Sequence, residues 1–131
     1  AADGLISRFS IRPADGERPV ATLSGGNQQK VVVARWLAAK VRLLVLEEPT
    51  IGVDVGSKAE IYALLQQALS SGMAVLLISS DFEEIERICH RALVFDRGRI
   101  SAEVPRADLS TPLLTMLTAG QATAAGGSVA A

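Results

Sequence analysis

The chain has 131 residues, 49% of them hydrophobic, with a formal net charge of -1 at neutral pH. That length and apolar content support a folded core and exclude general disorder, and the charge balance leaves no electrostatic footprint for nucleic acid. A single cysteine, Cys89, excludes an internal disulfide and fits a reducing compartment. With no signal-peptide pattern and no long uncharged apolar run, the chain reads as soluble and cytosolic.

Residues 1–22 read as a weak segment, LISRF followed by the turn-rich RPADGERP. A helix is expected from about Asn27 to Lys40, bearing Val31, Val32, Ala34, Arg35, Trp36 and Leu37. Its approach is LSGGNQQK, Leu23 to Lys30, where two glycines and three side-chain amides precede the apolar run. Glycine costs backbone entropy, so a pair belongs where the chain turns sharply or approaches something closely. Two readings follow from the residues: Ser24 caps the helix, or the helix start is an anion site built from N–H groups, a hydroxyl and amides.

VRLLVLEEPT contains a short continuous apolar run, Leu43 to Leu46, that ends in two acids and a proline, as a fully buried parallel strand does. Ser57 and Glu60 form a capping box, and behind it Ile61, Leu64, Leu65, Ala68 and Leu69 repeat along one helix face. Gly72 stops that helix, and AVLLISS is a second buried strand. A short helix is expected from Ser80 or Asp81, carrying Phe82, Ile85 and Ile88, with Ser80 and Glu83 as its capping box. ALVFDRGRISAEV predicts two strands about a turn at Arg97-Gly98. Thr111-Pro112 opens a last helix to about Thr118, and residues 119–131 are expected to be a flexible tail. Strands alternating with helices indicate an α/β layer fold with a mostly parallel sheet and right-handed crossovers.

Glu47 and Glu48 end the first strand. In open α/β sheets ligands bind beyond the carboxyl ends of the strands. Adjacent carboxylates there are poor structural residues, because each needs a partner once water is excluded. They suit chemistry instead: one acid can help hold Mg²⁺, while the other orients or deprotonates an attacking water.

LSGGNQQK resembles the signature motif of the ABC transporter ATPases, LLVLEEPT their Walker B strand with its catalytic glutamate, and IGVDVGSK (Ile51 to Lys58) their D-loop and the helix after it. VLLISSD resembles the strand leading to their switch residue. The matches keep the family's order and spacing from Leu23 to about Ile100. Within the family, GGNQQK, GVDVG and ISSD together resemble the second half of monosaccharide importers of the ribose, xylose and galactose type.

The resemblance implies a partial P-loop NTPase fold over residues 1–118, the C-terminal portion of a nucleotide-binding domain. Two such domains close head to tail over two ATP molecules, and the signature of one covers the γ-phosphate held by the other. Ser24 would offer its hydroxyl, Gly25 and Gly26 their N–H groups, and Gln28 would sit beside the nucleotide, with the helix dipole behind them. Asp54 of the D-loop and Ser80 at the switch position join the nucleotide site. By the same resemblance Glu47 would hold the metal and Glu48 would be the catalytic glutamate. Lys30 is expected to be solvated.

Two positions depart from the common pattern. Glu47 stands where an aspartate is usual, one methylene longer. Ser80 replaces the switch histidine and is too short to reach the γ-phosphate as imidazole does. His90 reads as a surface residue, Cys89 as a small buried apolar one, Trp36 as helix packing, and Glu83, Glu84, Glu86 and Arg87 as a solvated face.

No G-x-x-x-x-G-K-[ST] occurs in the sequence, so nothing of that type cradles the β- and γ-phosphates. The family's order places that loop, its strand and the glutamine loop upstream of Ala1 in sequence, and in the family sheet that strand lies between the strands at 74–79 and 91–96. The isolated piece is therefore expected to lack the phosphate-loop strand, expose sheet edges and associate. The parent implied is an ATP-hydrolysing subunit of a monosaccharide importer. It would sit peripherally on the cytoplasmic face of the inner membrane, with the other ATPase half and a permease as partners and a periplasmic sugar-binding protein as an indirect one. The alternatives are a non-catalytic half that completes and regulates a partner's site, or a soluble ABC ATPase outside transport.

Overall fold

The structure, a computed structural model, describes residues 2–39 and 41–123. It divides after Ile78 into two compact units. The first unit runs α1 (Ala2–Arg8), a 3-10 turn (Val20–Thr22), α2 (Gly25–Ala38), β1 (Leu43–Glu47), α3 (Val55–Ser70) and β2 (Ala74–Ile78). The second holds α4 (Phe82–Ile88), β3 (Arg91–Asp96), β4 (Arg99–Pro105), a 3-10 turn (Arg106–Asp108) and α5 (Thr111–Thr123).

In the first unit β1 and β2 pair in parallel, with Leu44 opposite Val75, Val45 opposite Leu76 and Glu47 opposite Ile78. The crossover is α3, which buries Ile61, Leu64, Leu65 and Ala68 as its periodicity requires, together with Tyr62. The period of two along β1 sends Leu44 and Leu46 inward and leaves Leu43 and Val45 exposed. Leu76 and Ile78 are exposed beside them, so one face of this sheet is both apolar and open to solvent. Parallel strands read as continuous apolar runs because such sheets are covered on both faces. Here only one face is.

The segment before the signature stretch is better structured than its composition suggests. Seven residues make α1, too few for a stable free helix. What secures it is packing: Phe9 and Ile11 are buried with Ala34 of α2 and Leu64 of α3, and Leu5 and Ile6 pack against them. Burying two such side chains stabilises by about 3–6 kcal/mol together.

In the second unit β3 and β4 form an antiparallel hairpin. Its two-residue turn has Arg97 at φ 47° and Gly98 at φ 78°, the left-handed pair that matches strand twist. Ala92, Val94 and Val104 pack with Leu109 and with Leu114 of α5.

Several expected boundaries move. The signature helix starts at Gly25, not Asn27, and ends at Ala38; Lys40 lies outside the described residues. The last helix begins at Thr111 and continues to Thr123, so residues 119–123 are helical rather than tail, and 124–131 lie outside the described residues. Both expected serine caps are replaced by aspartates. Asp54 caps α3, its Oδ1 accepting from Ser57 N–H at 3.0 Å, and Asp81 caps α4, its Oδ1 accepting from Glu84 N–H at 3.2 Å. A carboxylate accepts a stronger, charge-assisted bond than a hydroxyl and meets the positive end of the helix dipole, so it takes the cap.

Candidate functional site

Ser24 occupies the N-cap position of α2 in extended backbone, φ -60° and ψ 154°, but its side chain caps nothing. The Ser24 Oγ instead accepts from Asn27 Nδ2 at 2.9 Å, and Asn27 Oδ1 accepts from Arg12 N–H at 2.9 Å. The hydroxyl is thus held in place without covering the first-turn amides of Gly25 and Gly26. Simple capping by Ser24 is corrected, and the arrangement left behind suits an anion at a helix start.

The remaining signature side chains divide sharply. Gln28 turns back, its Nε2 donating to the Leu23 carbonyl at 2.8 Å, which closes the loop before the helix rather than reaching outward. Lys30, expected to be solvated, is 3% exposed. Its Nζ donates to the Ser10 carbonyl at 2.8 Å and pairs with Glu60 Oε2 at 2.5 Å. The spacing that suggested a capping glutamate had instead placed the counter-ion of a buried lysine. Trp36 is also corrected: it is 42% exposed, with the Arg35 guanidinium 5.1 Å from its ring centroid.

At the end of β1 the ladder closes with Glu48 N–H donating to the Ile78 carbonyl at 2.8 Å. Glu48 then takes φ 45°, the left-handed region that a residue with a Cβ enters only at a cost. That conformation ends the strand and turns the chain into Pro49 and Thr50, which are both buried. Glu47 is exposed and Glu48 half-buried, so two adjacent carboxylates stand at the carboxyl end of the parallel pair.

Asp54 lies on the far side of the same turn. Hydrogen bonding from the Ser57 amide, and then from its hydroxyl, holds the Asp54 carboxyl below the usual carboxylate range. The structure brings Asp54 and Ser57 to Gly26: a methyl group at Gly26 would lie 2.4 Å from Ser57 Oγ and 3.5 Å from Asp54 Oδ2. Signature and D-loop helix therefore meet at their starts.

Ser80 belongs to the second unit. It is exposed and is not the cap of α4, which corrects the expected capping box. At the same turn the Ser79 hydroxyl accepts from Asp81 N–H at 3.0 Å. The expected solvated face of α4 holds for Glu83 and Arg87, which are exposed, and is corrected for its other two acids. Glu84 is 1% exposed, and Glu86 Oε2 accepts from Thr111 N–H at 2.6 Å at the start of α5. His90 is exposed, and Cys89 packs partly against the core, where burial pushes its thiol up. Sequence reasoning missed Asn27, Ser57 and the Lys30–Glu60 pair. Only Asn27 carried a local signal, an amide three residues after the cap position.

Parallel strands joined by α3, a glycine-led helix start and paired acids at a strand's carboxyl end define a nucleotide-binding ATPase domain of the ABC class. The ABC transporter family matches residues 2–51, and the chain belongs to it. A solved ATP-binding cassette of an ABC transporter in its ADP conformation superposes with a TM-score of 0.74 at 22% identity, over 91% of this chain and 48% of that one. The cbiO1 structure from Clostridium perfringens, part of the complex cbiONQ, gives 0.71 at 22% identity over 92% and 48%. At that identity they share the fold.

Curated relatives are more similar in sequence. The ribose import ATP-binding protein RbsA of Jannaschia sp. is 46% identical over 91% of this chain and 23% of its own length. The arabinose import ATP-binding protein AraG 2 of Burkholderia ambifaria is 44% identical over 88% and 22%. RbsA 2 of Mesorhizobium japonicum is 49% identical over 80% and 21%. The chain spans about a quarter of the length of such relatives, as the 23% for RbsA illustrates, and it is a partial ABC ATPase domain.

The family binds nucleotide with Mg²⁺. Among the described residues no three His, Cys, Asp or Glu side chains converge on a metal position. Mg²⁺ does not require this, since one or two carboxylates with water and phosphate oxygens suffice. Exposed Glu47 at the strand end offers a hard oxygen donor of that kind, so the donor set fits. Among the described residues no helix is long and apolar enough to cross a membrane.

Proposed function

We propose that these residues belong to the ATP-binding subunit of an ABC importer for a monosaccharide, coupling ATP hydrolysis to sugar uptake. The observation that carries the proposal is the start of α2. The Ser24 hydroxyl is fixed by Asn27 at 2.9 Å but leaves the amides of Gly25 and Gly26 uncapped, a positive helix end presented to an anion. On this reading Ser24, Gly25 and Gly26 receive the γ-phosphate of an ATP held by the other half, and Gln28 braces the loop from which they project. Glu47 would hold Mg²⁺, which when bound neutralises phosphate charge. Glu48 orients or deprotonates the attacking water. Asp54 would border the nucleotide from the D-loop, and Ser80, in the second unit, stands at the switch position of the sequence.

The sugar class is proposed from the names of relatives at 44–49% identity. The partners proposed are a second ATPase half, a permease at the cytoplasmic face of the membrane and, indirectly, a periplasmic sugar-binding protein. The test is to purify the full-length polypeptide from membranes and reconstitute whatever permease accompanies it. ATP hydrolysis stimulated by a monosaccharide-loaded binding protein is expected. Robust hydrolysis with no associated membrane subunit would overturn the transport assignment and favour a soluble ATPase. A second reading, in which this half completes its partner's site without turning over its own ATP, is favoured by exposed Ser80 at the switch position.

A further inference from the structure

The two signature glycines occupy different surroundings. Gly25 is exposed, and a methyl group there would meet nothing within 4 Å. Gly26 is buried, and a methyl group there would lie 2.4 Å from Ser57 Oγ and 2.6 Å from Ser57 Cβ. Atoms do not sit that close, so either Ser57 or the start of α2 would have to move. Ser57 has little freedom to yield, because its N–H is bonded to Asp54 Oδ1 at 3.0 Å in the cap of α3. One turn further along both helices, Lys30 and Glu60 make a second tie at 2.5 Å.

From this we infer that Gly26 is a positioning residue: its missing side chain seats Ser57, and so fixes the signature helix against the start of the D-loop helix. This deepens the proposed function and rests on it. Gly25 offers the anion an open side, while Gly26 contributes its amide alone and, through its missing side chain, sets where α2 begins relative to Asp54. Ser57 is the second half of the joint. A displacement of α2 by the width of a methyl group would move Ser24 and Gly25 by a distance that matters for a phosphate arriving from outside.

The prediction is a rescue. In the full-length polypeptide Gly26→Ala should lower the denaturation midpoint and, in the assembled ATPase, reduce turnover by about 10²-fold, the scale of a 1 Å misplacement. Adding Ser57→Gly removes both clashing atoms and should restore the midpoint and return turnover to within about threefold of wild type, a coupling expected only for residues in contact. Gly25→Ala should leave the midpoint unchanged, and its loss of turnover should not respond to Ser57→Gly. If Gly26→Ala behaves as wild type, or if its defects persist in the double variant, the joint does not exist and the inference is overturned. Should Gly26→Ala fail to fold, folding of the double variant supports the joint and its failure refutes it. The midpoint cycle needs no ATPase activity, so a failure of the proposed function is distinguishable from a failure of this inference.

Discussion

The Nζ of Lys30 lies 2.5 Å from Oε2 of Glu60, joining α2 to α3 across thirty residues of sequence, and the two ends are unequally buried: 4% and 52% exposed at the side chain. The pair's energetics follow from that asymmetry. Removing Lys30 leaves a carboxylate that water can solvate, whereas removing Glu60 leaves a buried ammonium with the Ser10 carbonyl as its neighbour. Glu60→Ala should therefore cost about 2–4 kcal/mol and Lys30→Met about 1 kcal/mol, since an uncompensated buried charge is the larger penalty. Denaturant titration of the full-length polypeptide measures both. A larger cost for Lys30→Met would show that Glu60 is not the lysine's principal counter-charge.

Asp54 makes stability at the head of α3 depend on pH. Its folded carboxyl titrates below the ordinary value of 3.8 because the Ser57 amide, then the Ser57 hydroxyl, favours the charged form. A depressed carboxylate adds stability above the unfolded value and loses it as pH falls through the folded one. Asn caps nearly as well as Asp without the charge, so the advantage of wild type over Asp54→Asn should be present at neutral pH and vanish below 3.8. Unfolding curves of both proteins from pH 7 downward read this, and a pH-independent difference would remove the charge from the explanation.

The left-handed backbone of Glu48 predicts a separation of stability from chemistry. With φ at 45°, a β-branched residue fits worst and glycine best. Glu48→Val should cost about 1–3 kcal/mol, while Glu48→Gly should be neutral to about 1 kcal/mol stabilising. Thermal unfolding of the two variants checks the order. Equal stability would mean that the turn relaxes to accept any side chain.

Much of this fold was legible because it was written in local periodicity. The apolar run ending in Glu47 and Glu48, the helix face from Ile61 to Leu69 and the Arg97-Gly98 hairpin each need only their own residues to declare themselves. Positions decided by competition were less legible. Ser57 and Ser80 each carry the right glutamate spacing for a capping box, yet an aspartate nearby holds the stronger acceptor in both places. Relations between distant segments were not legible at all. The seven residues of α1 owe their helix to Phe9 and Ile11 packing on Ala34 and Leu64, and Lys30 owes its burial to Glu60. The stretches that resemble the signature and Walker B motifs were assigned by residue type and order alone. That Asn27 holds Ser24, or that Ser57 fills the space beside Gly26, required the tertiary structure.

The open face of the parallel pair predicts how residues 1–131 behave by themselves. Leu43, Val45, Leu76 and Ile78 are 56%, 53%, 49% and 49% exposed, and a parallel sheet is normally covered on both sides. Apolar surface of that kind drives association. Purified residues 1–131 should sediment as oligomers, and Val45→Lys with Leu76→Lys should shift them toward monomer. A wild-type chain that remains a sharp monomer at high concentration would show that the face is not adhesive.

The roles proposed for Ser24 and Glu48 predict unequal consequences in the assembled, full-length protein. Ser24 stands at the N-cap with its hydroxyl held by Asn27 and the adjacent glycine amides uncapped. Ser24→Arg fills the approach to those amides with a long side chain, and because closure assembles the site it should remove most hydrolysis. On the proposed reading Glu48 would serve this half's own nucleotide, where Glu47 and Ser80 depart from the usual acid and histidine, so Glu48→Gln should cost far less. Loss of a working general base commonly costs 10²–10⁴, and a gap of about that size should separate the two variants. Rates measured with sugar-loaded binding protein present decide the matter. Abolished turnover in Glu48→Gln beside near-normal turnover in Ser24→Arg would invert the roles, placing catalysis in this half and leaving its signature idle.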